Sequence, residues 1–115
     1  MRSGRVQHDR SRGARVVARR ALRYARGADP ALDRPAHVRA GSALVALPDG
    51  RLAVVQDDAA FLALIDLTTG EVVDVPLPSA DGRRLFDEGR GNKEYKLDLE
   101  AAFVCRDATL LVALG

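Results

Sequence analysis

The middle of the chain alternates short apolar runs with polar breaks. Four apolar runs of four to six residues lie between residues 43 and 77: Ala43–Leu47, Leu52–Val55, Phe61–Ile65 and the run from Val72 to Leu77. Between them, Pro48-Asp49-Gly50 and Thr68-Thr69-Gly70 supply residues that favour tight turns. Short strands at this regular spacing are typical of sandwiches, barrels and propellers. The pattern therefore predicts a four-stranded antiparallel meander.

A second apolar pattern follows a polar stretch at residues 79–96. It predicts a strand over Leu97–Arg106, a turn at Asp107-Ala108 and a further strand over Thr109–Leu114. A four-stranded unit of about 40 residues has the size of one propeller blade. We therefore predict an all-β domain over residues 27–115, with one blade and part of a second of a truncated β-propeller-like fold. An open sheet edge in such a fragment predicts self-association.

Charge divides the chain into two parts. Residues 1–26 carry nine Arg and one acidic residue, whereas residues 27–115 carry nine basic and fifteen acidic side chains. We predict an Arg-rich tail over residues 1–26, disordered at 1–13 and either a short helix or a strand at 14–26. The tail has a single aromatic residue, Tyr24, so base stacking is not expected. A solvated tail or a closing strand is favoured over contact with nucleic acid or an anionic membrane.

Composition excludes several classes of protein. The chain has no apolar run near the roughly 18 residues that a membrane-spanning helix needs, and no apolar core of a secretory signal. Its single cysteine, Cys105, excludes an internal disulfide framework and a multi-cysteine metal site, and we expect it to be a small buried strand residue. These features predict a cytoplasmic protein.

The segment 94–101 carries the main candidate chemistry. If it is extended, Glu94, Lys96, Asp98 and Glu100 share one face, and Tyr95, Leu97, Leu99 and Ala101 share the other. The Cα atoms of Asp98 and Glu100 would lie about 6.6 Å apart, close enough to share a Ca²⁺ ion or to hold unequal pKa values. We predict a ligand site formed by Asn92, Lys93, Lys96, Asp98 and Glu100, with Asp98 and Glu100 as metal ligands. A solvated strand face with alternating charges is favoured over this site.

Two other motifs favour structural roles. The pair Asp57-Asp58 lies between predicted strands, where Asx hydrogen bonding is favoured over calcium binding because no further ligands surround the pair. The segment 89–93 is glycine-rich but lacks the ending of a phosphate-binding loop and precedes a predicted strand, so it does not indicate nucleotide binding.

A serine, histidine and aspartate set can be assembled from Ser42, His37 and Asp33. None of them lies in the Gly-x-Ser-x-Gly turn that exposes a catalytic serine in hydrolases. Nucleophilic catalysis is therefore not predicted.

Three phrases carry a resemblance to known proteins: ADPALDRPAHVRAGSALV (28–45), LAVVQDDAAFLALIDLTTGEV (52–72) and FDEGRGNKEYKLDLEAA (86–102). Residues 28–115 resemble the N-terminal part of a family of uncharacterised bacterial propeller-like proteins, a domain of unknown function. The phrase KLDLEAA also resembles an acidic segment of phytase-like and esterase-like propellers. The resemblance implies a propeller-like fold but no reaction.

Three functions follow from these observations. The favoured one is a ligand-binding or structural propeller-like protein, with the polar segment Asn92–Glu100 facing a central channel. An alternative is a metal-assisted hydrolase that uses Asp98 and Glu100, and a third is a basic-tailed interaction module.

Overall fold

The computed structural model describes residues 4, 7, 9–105 and 111–115. Two antiparallel sheets and two single-turn 3₁₀ helices are present, and no α-helix occurs among these residues. The first sheet contains β1 (Gly41–Ala46), β2 (Leu52–Gln56), β3 (Phe61–Ile65) and β4 (Val72–Pro76), and the second contains β5 (Ala101–Val104) and β6 (Leu111–Leu114). The 3₁₀ helices span Pro30–Leu32 and Lys93–Tyr95. The predicted all-β fold and its four-stranded meander are confirmed.

The turn between β1 and β2 shows why the strands end where they do. Gly50 has a positive φ of 88°, a backbone conformation that residues with a side chain rarely adopt. The amide of Arg51 donates to the Asp49 carboxylate at 3.0 Å, and the amide of Leu47 donates to the carbonyl of Arg51 at 2.8 Å. Turn chemistry and strand register therefore agree, and the four strands follow one another in the order β1-β2-β3-β4.

Both faces of this sheet are largely apolar. Residues paired across antiparallel strands share a face, so the register assigns each side chain to one of two faces. One face, here called the strap face, includes Leu52, Val54, Phe61, Ala63, Ile65 and Val72. The opposite face, here called the outer face, is formed by Ala43, Val45, Ala53, Val55, Leu62, Leu64, Val73 and Val75. A sheet with two apolar faces is built to be covered on both sides.

Residues 22–38 cover the strap face and are here called the strap. Tyr24 is buried against Val54, Ala63, Ile65 and Val72. The amide of Ala25 donates to the Val72 carbonyl at 2.8 Å, beside the edge of β4. Leu22 and Tyr24 of the predicted tail thus pack against the sheet. Residues 14–21, in contrast, are exposed and form neither helix nor strand. The predicted disorder at 1–13 falls partly outside the described residues.

Buried Gln56 joins the strap to the sheet through its side-chain amide. Its Nε2 donates to the hydroxyl of Tyr24 and to the carbonyl of Phe61, both at 3.0 Å, and its Oε1 accepts from the amide of Arg39 at 2.8 Å. Burial raises the pKa of the Tyr24 hydroxyl, so the phenol stays neutral in this contact. A polar side chain in the core is tolerated here because its hydrogen bonds are satisfied.

Arg34 makes a second, charged connection between the strap and the sheet. Its side chain is only 3% exposed, and its Nη1 lies 2.5 Å from Oδ1 of Asp74 in β4. The same guanidinium donates from Nη2 to the carbonyl of Gly27 at 2.9 Å and lies 5.4 Å from the centre of the Tyr24 ring. A buried charge is stable only when it is paired and hydrogen-bonded in this way.

The second sheet begins later than predicted. The strand expected from Leu97 starts at Ala101, because the 3₁₀ turn at Lys93–Tyr95 and a left-handed Asp98, with φ 50°, interrupt the extended backbone. The turn predicted at Asp107-Ala108 lies outside the described residues, as do Arg106, Thr109 and Leu110.

The same region corrects the expectation for Cys105, which follows β5 and is only half-buried. β5 contacts β1, and the Ser42 hydroxyl donates to the Leu99 carbonyl next to this contact. The second sheet therefore lies beside the first strand of the meander.

Candidate functional site

A groove runs between residues 77–86 and residues 92–97. Its volume is about 280 Å³, slightly below the usual range for small-molecule sites. The residues that line it are Ala60, Pro78, Ser79, Ala80, Asp81, Arg83, Phe86, Asn92, Tyr95 and Leu97. The groove thus combines a mainly apolar lining with a small number of polar groups.

The first wall is fixed to the start of β3 by backbone hydrogen bonds. The amide of Leu77 donates to the carbonyl of Ala60 at 2.9 Å, and the amide of Ala60 donates to the carbonyl of Arg84 at 2.7 Å. The amide of Phe86 donates to the carbonyl of Asp58 at 2.9 Å. Phe86 itself is buried. This wall is therefore held in place by the meander.

The rim of that wall is a polar turn over residues 79–83. The Asp81 carboxylate accepts from the Arg83 amide at 3.0 Å and lies 3.1 Å from the hydroxyl of Ser79. The backbone hydrogen bond from Arg83 is the main cause that lowers the pKa of Asp81 below its usual value, so this carboxylate is ionised at neutral pH. Oδ2 of Asp81 lies 3.9 Å from Nε of Arg83, and both side chains are mostly exposed. The rim presents one group of each charge to solvent.

The second wall depends on the buried side chain of Asn92. Its Oδ1 accepts from the amide of Asp87 and its Nδ2 donates to the carbonyl of Leu85, both at 3.1 Å. These two bonds close the glycine-rich turn at 87–92 and place the 3₁₀ turn beside the groove. Tyr95 and Leu97 follow, and their exposed fractions are 69% and 52%. Large apolar side chains of this kind on a cavity wall are a frequent sign of a binding surface.

Lys96 does not line the groove, unlike its neighbours Tyr95 and Leu97, and pairs with two carboxylates. Its Nζ lies 3.1 Å from Oδ2 of Asp57 and 2.9 Å from Oδ1 of Asp98. Hydrogen bonds with Asp98 and then with Asp57 raise the pKa of the Lys96 ammonium. Lys96 therefore pairs with two carboxylates, Asp57 and Asp98, that belong to separate candidate sites in the sequence analysis.

The structure does not bring the five predicted site residues together in one cavity. Asn92 lines the groove, Lys93 pairs with Glu88 at 3.4 Å, and Glu100 is exposed, with its amide donating to the carbonyl of Leu114 at 2.7 Å. Alternation over 94–101 is lost because the segment is not a strand. The ligand-binding role of these five residues stays a prediction.

Metal binding also stays a prediction. Asp98 is engaged by Lys96, and across the described residues no three His, Cys, Asp or Glu side chains form a group that could hold a metal ion. Asp58 pairs through Oδ2 with Arg39 at 3.1 Å, while its other oxygen, Oδ1, is buried without a hydrogen-bond partner. These contacts commit the Asp57-Asp58 pair to neighbouring cations.

Asp33 connects the strap to the first wall of the groove. Its Oδ2 accepts from the amides of Arg84 and Leu85, both at 2.8 Å, and from Nη1 of Arg90 at 2.7 Å. Burial on its own raises the pKa of this carboxyl, but the hydrogen bonds from Arg90, Leu85 and Arg84 outweigh burial and lower it. These contacts of Asp33 hold the chain together. Among the described residues, its side chain makes no hydrogen bond to Ser42 or His37.

A second cavity, of about 220 Å³, lies where the strap meets β4. It is lined by Tyr24, Ala25, Arg26, Val72, Val73 and Asp74. The two polar side chains best placed for chemistry are already engaged, because Asp74 is paired with Arg34 and the hydroxyl of Tyr24 is bonded to Gln56. We therefore regard the groove as the better candidate site.

The alternating pattern places Tyr95 and Leu97 on the face opposite the charged residues. In the structure, these two residues line the groove. The alternation itself was the available signal, since it separates Tyr95 and Leu97 from Lys96. Arg83 and Asp81 carried no comparable signal, because their placement depends on the backbone pairing of residues 77–86 with residues 58–60.

Among the described residues, no helix has the length and apolar character needed to cross a membrane. Comparison with curated proteins and with solved structures finds no match. The model of a family of unknown function, DUF6929, matches residues 37–115, which include the whole meander, the groove and the second sheet. By this match, the chain belongs to the DUF6929 family of unknown function.

Proposed function

We propose that this chain is a ligand-binding module of propeller-like architecture, with the groove between residues 77–86 and 92–97 as its binding surface. The propeller-like arrangement is supported by the four-stranded meander, whose apolar outer face suits packing against a neighbouring blade. It is also supported by the contact between β5 and β1, the first strands of successive units.

One observation carries the proposed binding role: Tyr95 and Leu97 are both more than half exposed and both line the groove. A ligand that covers them removes apolar surface from water, which is the main favourable term in binding. Phe86, at the first wall, adds an aromatic surface that is already fixed in place.

The lining also suggests the class of ligand. The volume of about 280 Å³ limits the ligand to a compact small molecule, and the phenol ring of Tyr95 favours a planar aromatic body that can stack on it. Polar substituents would meet Asp81 and Arg83 at the rim, where both side chains remain largely solvated. We therefore propose small aromatic compounds as ligands.

Saturation-transfer NMR with a set of small aromatic fragments tests this function. We expect fragments to bind the wild-type chain and to lose at least about tenfold in affinity in Tyr95→Ser and Leu97→Ser, because each change removes apolar contact area. Leu67→Ser is the matched control, since Leu67 is 63% exposed but lies in the turn after β3, away from the groove.

The proposal fails if the wild-type chain binds none of the fragments, or if Leu97→Ser and Leu67→Ser bind them equally well. Circular dichroism of each variant shows whether the fold is retained. Exposed side chains were chosen so that the substitutions leave the core intact.

A further inference from the structure

Residues 14–26, here called the arginine segment, keep their positive charge unpaired in the part of the chain that the structure describes. Every arginine of the segment is exposed, and none forms an ion pair with another described residue: Arg15, Arg19, Arg20, Arg23 and Arg26. Arginines later in the chain behave differently, since five of them lie beside a carboxylate: Arg34, Arg39, Arg51, Arg83 and Arg90. The excess of acidic residues in the body therefore does not neutralise the arginine segment within the described residues.

The arginine segment is held against the meander at several points. Tyr24, between Arg23 and Arg26, is buried under the strap. Arg23 faces His37 across an antiparallel bridge within the strap, and both residues are exposed. The guanidinium of Arg20 lies so close to Gly70 that a Cβ atom at that glycine would overlap it. These contacts place the positive charge at a defined position on the surface of the folded domain.

The partner that suits several unpaired arginines in succession is a linear chain of negative charges. Duplex nucleic acid carries one negative charge per about 1.7 Å of its axis. A guanidinium group can donate two parallel hydrogen bonds to one phosphate, which an ammonium group cannot do with the same geometry. Residues 27–115 carry nine basic and fifteen acidic side chains, so the contact with phosphates is expected to be confined to the arginine segment.

Two other polyanions fit the observations less well. A helix that lies on a membrane collects its apolar side chains along one side, and residues 14–21 are not helical, with Val16 and Val17 both exposed. Single-stranded nucleic acid is usually bound by stacking its bases on aromatic side chains. Tyr24 is buried, and no Phe, Tyr or Trp precedes it in the sequence.

We propose that the arginine segment binds the phosphate backbone of double-stranded nucleic acid, without preference for base sequence. The five arginines contact phosphates, and the strap fixes the orientation of the domain on the duplex. Contacts of this kind carry no sequence information, because phosphates are the same at every base pair.

Fluorescence anisotropy with a labelled DNA duplex of about 20 base pairs tests the proposal between about 50 and 200 mM salt. We expect the 115-residue chain to bind two duplexes of unrelated sequence equally, with an affinity that falls steeply as salt rises. The double variant Arg15→Gln with Arg19→Gln is expected to weaken binding at least about fivefold and to reduce the salt slope by about two. Arg51→Gln with Lys93→Gln is the matched control, because it removes the same charge at two exposed side chains that are paired with carboxylates.

The control variant is expected to bind as wild type does, and circular dichroism shows that each variant retains its fold. Absence of binding at the lowest salt would overturn the proposal, as would equal losses in the two double variants. Tighter binding to the single strand than to the duplex would also overturn it. Cosedimentation with vesicles of phosphatidylserine and phosphatidylcholine provides the last comparison, and association with vesicles without binding to the duplex would assign the arginine segment to membranes instead.

Discussion

Asp33 shows how one side chain can organise several segments. It ends the first 3₁₀ helix in a left-handed conformation, with φ 56°, and its carboxylate collects the amides of Arg84 and Leu85 and the guanidinium of Arg90. All three are donors, so the ionised carboxylate is the form that fits this position. Residues 84 and 85 belong to the segment that forms the first wall of the groove, so these hydrogen bonds help to hold that wall in place.

The stability of the chain should therefore depend on pH through Asp33. Its pKa is lower in the folded chain than its usual value, so the stabilisation is present near neutral pH and is lost as the pH falls below about 4. Asp33→Asn removes the charge and retains a residue that tolerates left-handed backbone. We expect Asp33→Asn to be less stable than wild type near neutral pH, and the difference to shrink in acid.

Urea unfolding at a series of pH values measures this effect. Glu71→Gln is a suitable control, because Glu71 is exposed and lies just before β4, away from the residues that line the groove. A constant difference between Asp33→Asn and wild type at every pH would show that Asp33 acts through its shape and not through its charge.

At the level of elements, the meander was predictable and the strap was not. Strand positions follow from alternating apolar runs and from Gly50 and Gly70, which are local signals. Tyr24 and Arg34 gave no local sign of burial, because their partners Gln56 and Asp74 are far away in the sequence. The alternation predicted over 94–101 is interrupted for a related reason: one left-handed residue, Asp98, and one 3₁₀ turn are enough to end the extended backbone.

The contact between Arg34 and Asp74 should contribute strongly to attachment of the strap to β4. Arg34→Met keeps much of the apolar stem but leaves Asp74, whose side chain is only 13% exposed, without its cation, and we expect a loss of about 3 kcal/mol in the free energy of unfolding. Chemical denaturation of the variant measures this loss.

A matched comparison is Arg12→Met, which breaks the exposed pair between Arg12 and Asp9. Exposed pairs contribute about 0–1 kcal/mol, so little change is expected. The double variant with Arg34→Met and Asp74→Leu should recover part of the loss, because it removes the unpaired charge. Equal losses for Arg34→Met and Arg12→Met would contradict the importance of the buried pair.

For the whole molecule, the packed body begins within the Arg-rich segment. Residues 14–21 are exposed, whereas Leu22 packs against the core and Tyr24 is buried. A domain boundary drawn from charge alone, at residue 26, separates Tyr24 from the sheet that it covers. The distribution of charged residues indicates which parts of the chain are exposed to solvent. Packing against the sheet depends on single residues between the arginines, here Leu22 and Tyr24.

Removal of residues 1–21 should leave the fold intact. We expect the free energy of unfolding to change by less than about 0.5 kcal/mol, since surface changes away from the core have small effects. Tyr24→Ala, in contrast, is expected to cost about 3–5 kcal/mol, because it opens a cavity between the strap and the sheet. Urea unfolding of the two proteins distinguishes these outcomes, and a large loss on truncation would place the start of the packed body before residue 22.

The strap also has a consequence for the order in which the chain folds. Residues 22–25 leave the ribosome before any strand of the meander, yet their hydrogen bond to Val72 requires the last strand of that sheet. Neighbouring strands of the meander pair over short distances in sequence, which is fast, whereas the strap must wait for a partner nearly fifty residues later. During synthesis the strap face therefore stays open, with Val54 and Ile65 uncovered, until β4 has emerged and Tyr24 can close over it.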